Sequence, residues 1–123
     1  MTAFEVFVPG AFETFFSGTG VVAGDPYSSD PEQERGAAEL REAWQGRTTF
    51  RRGRGYTLGL RLPSIEAAVV LAEYAEACLS ANSDEPDYSE VAAARKVLER
   101  VEQATGGRVA WNGYYVTRDG AKT

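Results

Sequence analysis

The stretch from Ser64 to Gly107 constrains the fold more than any other part of the chain, because it reads as two helices joined by a short loop. In the second, 88–105, the residues Val91, Ala94, Leu98, Val101 and Thr105 share one stripe of a 3.6-residue repeat, with Val97 and Ala104 at its edge. Arg95, Lys96, Glu99, Arg100, Glu102 and Gln103 take the opposite side, so the helix has one buried face and one wet face. Asp87 stands where an N-cap belongs, Glu90 is spaced to complete a capping box, and Gly106 is placed to end the helix in the left-handed conformation.

The first of the two helices, 65–81, is apolar around most of its circumference, through Ala67, Ala68, Leu71, Tyr74, Ala75, Cys78 and Leu79. Only Glu66, Glu73 and Glu76 gather on a polar side. Such a helix must be covered on most of its surface, so it is expected at the centre, with the second helix on one flank and a sheet on another. Pro63-Ser64 supplies the preceding stop and the N-cap.

The remaining segments supply strands and one more helix. Ala3 to Val8 alternates, with Phe4, Val6 and Val8 on one face and Glu5 and Phe7 on the other, and Pro9-Gly10 turns the chain. Phe12-Glu13-Thr14-Phe15-Phe16 fits either a strand or a helical turn, and a short strand is the expectation. Gly18-Thr19-Gly20-Val21-Val22-Ala23 has the letters of a dinucleotide-binding turn, but Gly24-Asp25-Pro26 breaks the helix that such a turn requires, which leaves a loop. Asp30-Pro31 opens a helix over 31–45, with Gln33 spaced for a capping box and Gly46 as its stop. Its thin apolar stripe, Ala37, Leu40 and Trp44, marks a surface helix, and the interior Gly36 suggests close backbone packing. Residues 48–52 and 56–62 read as a hairpin around a Gly53-Arg54-Gly55 loop, with Tyr56, Leu58, Leu60 and Leu62 facing inward. Residues 108–118 carry Asn112-Gly113, the pair preferred in a two-residue type I′ turn, which would set Trp111 opposite Tyr114 and Val109 opposite Val116.

Together these segments predict one α+β domain over 1–118, with a flexible tail at 119–123. A mainly antiparallel sheet takes 3–8, 48–52, 56–62 and 108–118, and three helices, including the central helical hairpin, pack on one face. The longest apolar run, Ala67 to Ala72, is too short to span a bilayer, and the N-terminus lacks the basic start and apolar segment of a secretory leader. A single cysteine, Cys78, rules out an internal disulfide and fits a cytoplasmic location.

The chain has no histidine, which removes the usual imidazole-based triads and, with one cysteine, the zinc sites. No catalytic residue, metal site or cofactor is therefore expected. Asp84, Glu85, Asp87 and Glu90 lack the calcium-loop spacing and read as a solvated loop with a cap. Glu66 and Glu73, two turns apart, read as a wet helix face rather than a carboxylate pair.

Charge is unevenly distributed. The net charge is −5, yet 47–62 holds five arginines and no acid, leaving eight basic residues against 18 acidic ones elsewhere. Arg47, Arg51, Arg52, Arg54, Tyr56 and Arg61 are the candidate partner-binding set, directed at an acidic protein surface or, alternatively, at nucleic acid. Internal pairing with the acids Glu32, Glu34, Glu39 and Glu42 of the preceding helix is the competing use of these arginines. Trp111, Tyr114 and Tyr115 form a second binding candidate and make a homodimer an option. The expected function is a non-catalytic protein-binding one, of the inhibitor, immunity or phage and mobile-element accessory type. A nucleic-acid-binding module is the alternative, and a small carboxylate- or tyrosine-dependent enzyme the third.

Overall fold

The computed structural model describes residues 3–82, 84 and 88–118, and of Arg52 and Arg118 only the backbone. The elements run β1 (Phe4–Pro9), α1 (Ala11–Phe16), α2 (Gly20–Ala23), α3 (Pro31–Gln45), β2 (Thr48–Arg52), β3 (Gly55–Leu62), α4 (Ile65–Ala81), α5 (Ser89–Ala104), β4 (Val109–Trp111) and β5 (Val116–Arg118). This is an α+β fold with antiparallel pairing throughout.

The strands form two sheets, not the single one expected. β1, β3 and β2 make a three-stranded sheet in that order, while β4 and β5 pair only with each other. Val6, Val8, Leu58, Leu60 and Leu62 line the covered face of the larger sheet and are fully buried. The helices pack on that face, chiefly α5 against β1 and α3 against β3. α4 is central, as its apolar circumference requires, but its flanks are α3 and α5, and it meets the sheet only lightly at β3.

Local chemistry sets the helix ends. Asp30 accepts the Glu32 amide at 2.9 Å and Pro31 takes the first turn of α3. Gln33 does not complete a capping box: the Ser28 hydroxyl donates to it and itself accepts the Asp30 amide. Ser64 caps α4 through the Ala67 amide at 3.1 Å, and its hydroxyl donates to Glu39 at 2.5 Å, tying the start of α4 to α3. α5 opens with Tyr88 in the N-cap position, without a side-chain cap bond; the expected cap, Asp87, lies outside the described residues. Gly106 and Gly107 both have positive φ, and their amides return to Gln103 and Glu102, the paired bonds of a Schellman stop.

Two segments expected to be non-helical are helical. Residues 12–16 form α1, which brings the rings of Phe12, Phe15 and Phe16 onto one side. Phe16 then sits 4.7 Å from Trp44 and 5.5 Å from Tyr74, so α1 plugs the end of the α3–α4 layer. A helix satisfies this run better than a strand because all three aromatic rings reach the core at once. Residues 20–23 form a single turn, α2, stopped by Gly24 at φ +90°, where the sequence places the break.

Gly36 marks a close approach of α3 to α4. A Cβ there would lie 2.7 Å from the carbonyl carbon and oxygen of Glu66, so only glycine lets α3 lie this near the first turn of α4. Thr105, buried at the end of α5, donates to the Val101 carbonyl and accepts the Val109 amide, which fixes the start of the small sheet.

Candidate functional site

Alternation along β1, β2 and β3 leaves one face of the larger sheet without helices. Phe7 pairs with Gly59, and Gly59 with Thr48; Phe50 pairs with Thr57; Glu5 pairs with Arg61. Gly59 of the central strand carries no side chain, so the rings of Phe7 and Phe50 lean together over it, 6.0 Å apart and edge to face. Both rings are exposed, Phe7 at 42 % and Phe50 at 44 %. Large apolar side chains this accessible and in mutual contact form a patch rather than scattered exposure. They border a cleft of about 760 Å³, lined also by Arg51, Thr57 and Arg100.

The candidate arginines separate into two groups around this patch. Arg47 is committed internally: it bonds Glu13 at 2.9 Å, donates to the Trp44 carbonyl at 2.8 Å and lies 4.5 Å over the Trp44 ring. Tyr56 donates to the same Glu13 carboxylate at 2.5 Å. The Tyr56 hydroxyl, and with it the Arg47 guanidinium, holds the Glu13 carboxyl below its ordinary value, while Glu13 pushes the Tyr56 phenol up. Arg61 lies 3.6 Å from Glu5 across the strands, both side chains being largely exposed. Such surface pairs contribute about 0–1 kcal/mol.

Arg51 and Arg54 make no ion pair among the described residues. Arg54 occupies the hairpin turn, which is a two-residue Gly53-Arg54 loop instead of the expected three, because Gly55 already pairs with Arg52. Gly53 takes φ +56° and Arg54 does not go positive, in keeping with a type II′ turn. The side chain of Arg52 is outside the described residues. Among the described residues no ion pair joins the hairpin arginines to α3, the competing use of these arginines. Glu34 accepts the amides of Ser28 and Tyr27, which lower its carboxyl, and Glu39 takes Ser64 and Arg35.

The aromatic hairpin also differs from its expected form. Asn112 accepts the amides of Tyr114 and Tyr115 through its side chain, and its own amide donates to the Tyr115 carbonyl. The loop is therefore four residues long, 112–115, with Trp111 opposite Val116 and Val109 opposite Arg118. This side-chain-capped turn displaces the type I′ turn that Asn-Gly favours. Tyr114 and Tyr115 project at 84 % and 61 % exposure, whereas Trp111 packs against the core, its indole N–H shielded and without a partner among the described residues. The three rings do not form one surface.

The carboxylates of α4 have structural partners. Glu66 faces Arg35 at 3.3 Å, and Glu73 accepts the Tyr27 hydroxyl. Burial and then Glu73 push the Tyr27 phenol well above its ordinary range, which suits a donor and not a base. Cys78 is buried and its thiol is pushed up by burial. No three potential metal ligands lie together among the described residues, and none of the described helices is long and apolar enough to cross a membrane.

Of the residues lining this cleft only Arg51 belongs to the candidate set read from the sequence; Phe7, Phe50, Thr57 and Arg100 lie outside it. Phe7 is visible only as the apolar residue on the wrong side of an alternating strand. Arg100 reads as one of many charges on a wet helix face, yet its guanidinium reaches the Phe7 carbonyl at 2.8 Å. No protein-family model, curated protein or solved structure matches the chain.

Proposed function

We propose that this chain is a non-catalytic binding protein that docks an acidic protein partner on the open face of its larger sheet. The observation that carries this function is the Phe7–Phe50 pair standing exposed over Gly59, with Arg51 lining the same cleft and neither Arg51 nor Arg54 in an ion pair among the described residues. An apolar centre bordered by arginines has the make-up of a protein-interface hot spot. The remainder of the chain is acidic, so the arginine-rich hairpin is also the region that steers an acidic partner to one orientation. Inhibitor, immunity or mobile-element accessory roles belong to this class of activity.

A second function, single-stranded nucleic-acid binding, draws on the same face, because bases stack on exposed rings while arginines hold phosphates. Arg51 and Arg100 bordering one cleft with both rings favour it. Capture from the native cell followed by salt titration separates the two. A one-to-one protein complex that holds at high salt and is weakened by Arg51→Glu/Arg54→Glu supports protein docking. Recovery of nucleic acid, with affinity falling steeply as salt rises, overturns it.

A further inference from the structure

The hydrogen-bond alternation of the larger sheet identifies which backbone groups stand open. The Gly10 amide donates to the Tyr56 carbonyl at 2.9 Å, so Tyr56, Leu58, Leu60 and Leu62 direct their backbone groups to β1. The Phe7 carbonyl accordingly points away from β3, where Arg100 meets it. Thr57 and Gly59 must then serve β2, through Phe50 and Thr48. The N–H and C=O groups of Thr49 and Arg51 are left facing outward along the free edge of β2, and among the described residues β3 is the only strand paired with it.

The two edges of this sheet are not equivalent. β1 lies against α5, and Arg100 occupies its Phe7 carbonyl. β2 is exposed on both faces at Thr48, Thr49, Phe50 and Arg51, and no backbone bond outside the ladder reaches it among the described residues. The β2 strand holds no proline, and among the described residues no helix packs closely on its edge, which leaves charge as its protection. Arginines repel a second arginine-rich edge, and the same charge accepts a strand bearing carboxylates.

We propose, on the footing of the protein-contact function above, that the partner contributes an extended acidic segment that adds to the sheet as a fourth strand along β2. Its backbone bonds to Thr49 and Arg51. Its carboxylates meet Arg51 and Arg54, and an apolar side chain of the segment rests against Phe50 and Phe7. Main-chain bonds then supply affinity while the arginines and rings supply selectivity.

The test uses the full chain and a displayed library of random 12-residue peptides, selected on it at moderate salt. The recovered peptide, fluorescently labelled, is titrated against wild type, Thr49→Pro and Arg51→Glu/Arg54→Glu. Thr49→Pro removes an outward N–H that the protein's own ladder does not use, and leaves every charge and both rings in place. The expected result is an acid-rich peptide with an apolar residue, bound about tenfold more weakly by Thr49→Pro, the loss of roughly one net hydrogen bond. Amide exchange at Thr49 and Arg51 of the wild type should slow when the peptide binds, and this decides the matter if the proline variant fails to fold. Full affinity of Thr49→Pro with unchanged exchange, but weak binding by the arginine variant, overturns strand addition and leaves sheet-face docking standing. Failure to recover an acid-rich peptide, or indifference to both variants, overturns both. A dimer of the chain alone that dissociates in Thr49→Pro makes a second copy the occupant and overturns the acidic segment.

Discussion

Replacing Gly36 by alanine opposes helix propensity to packing, and the geometry decides the sign. In a solvent-facing helix position the exchange stabilises by about 1 kcal/mol, because alanine restricts the unfolded chain and suits the helix. At Gly36 the new Cβ would sit 2.7 Å from the carbonyl carbon and oxygen of Glu66. Ordinary carbon contacts lie at about 3.5–4.0 Å, so α3 must retreat from α4 by roughly 1 Å. The obstructing atoms are backbone, within the first turn of a helix capped by Ser64, and cannot rotate away as a side chain would. Overpacking of this kind costs about 1–3 kcal/mol, and contact with rigid backbone places it at the upper end. Net of propensity, Gly36→Ala should destabilise by roughly 2 kcal/mol, which for a chain of this length lowers Tm by about 6–12 °C. Differential scanning calorimetry and urea unfolding measure it. A Tm equal to or above that of the wild type would refute the close α3–α4 approach.

Glu13→Gln should flatten the acid limb of the stability profile. The Glu13 carboxyl is held below its unfolded value of 4.5, so its contribution is complete above that pH and is lost as pH falls through its lower folded value. Urea midpoints measured from neutral pH downward should converge for the two proteins in acid, and parallel profiles would contradict the Glu13–Tyr56–Arg47 network. Tyr27→Phe should cost about 1–3 kcal/mol at neutral pH, since Glu73 loses its donor. With the Tyr27 phenol raised above its unfolded value of 10.0, the wild-type advantage should persist below that pH and shrink as alkaline conditions ionise the hydroxyl; an advantage that grows there would contradict the bond. Gly59→Ala places a Cβ 3.0 Å from Phe50 and 3.6 Å from Phe7, both exposed rings that can yield. Its Tm should change by no more than about 3 °C, while ring-to-ring proton contacts between Phe7 and Phe50 are altered; unaltered contacts would place the pair elsewhere.

What the sequence discloses here is what local chemistry dictates. Asp30-Pro31, Ser64 and Gly106 define helix ends within a few residues of themselves, and the structure uses each of them. The crowding at Gly36 is legible for the same reason, since a helix seldom retains an interior glycine without close packing. Phe12 to Phe16 fails because five residues satisfy a period of two and of 3.6 equally well, and only the distant Trp44 and Tyr74 select the helix. Asn112-Gly113 misleads because the asparagine side chain competes with the turn its backbone favours. The separation of 108–118 into its own sheet depends on α4 and α5, which no local signal reports. At the candidate site, the arginine-rich hairpin is conspicuous as charge, but which of its members are paired among the described residues depends on Glu13 and Glu5, residues 34 and 56 positions away from their partners. The apolar centre is a tertiary product: Phe7 and Phe50 meet only because β1 and β2 flank Gly59 on the same strand.

The affinity of Phe50→Ala for the partner captured from the native cell decides whether the open sheet face is the docking surface. Phe50 contacts Phe7 and the space above Gly59 and is exposed, so its truncation should lower stability by no more than about 1 kcal/mol, the worth of the ring pair. If the open face of the β1–β3–β2 sheet is the docking surface, affinity should fall by about 30-fold or more while Tm moves by only a few degrees. Binding within about twofold of the wild type, in a protein shown by circular dichroism to be folded, would contradict it.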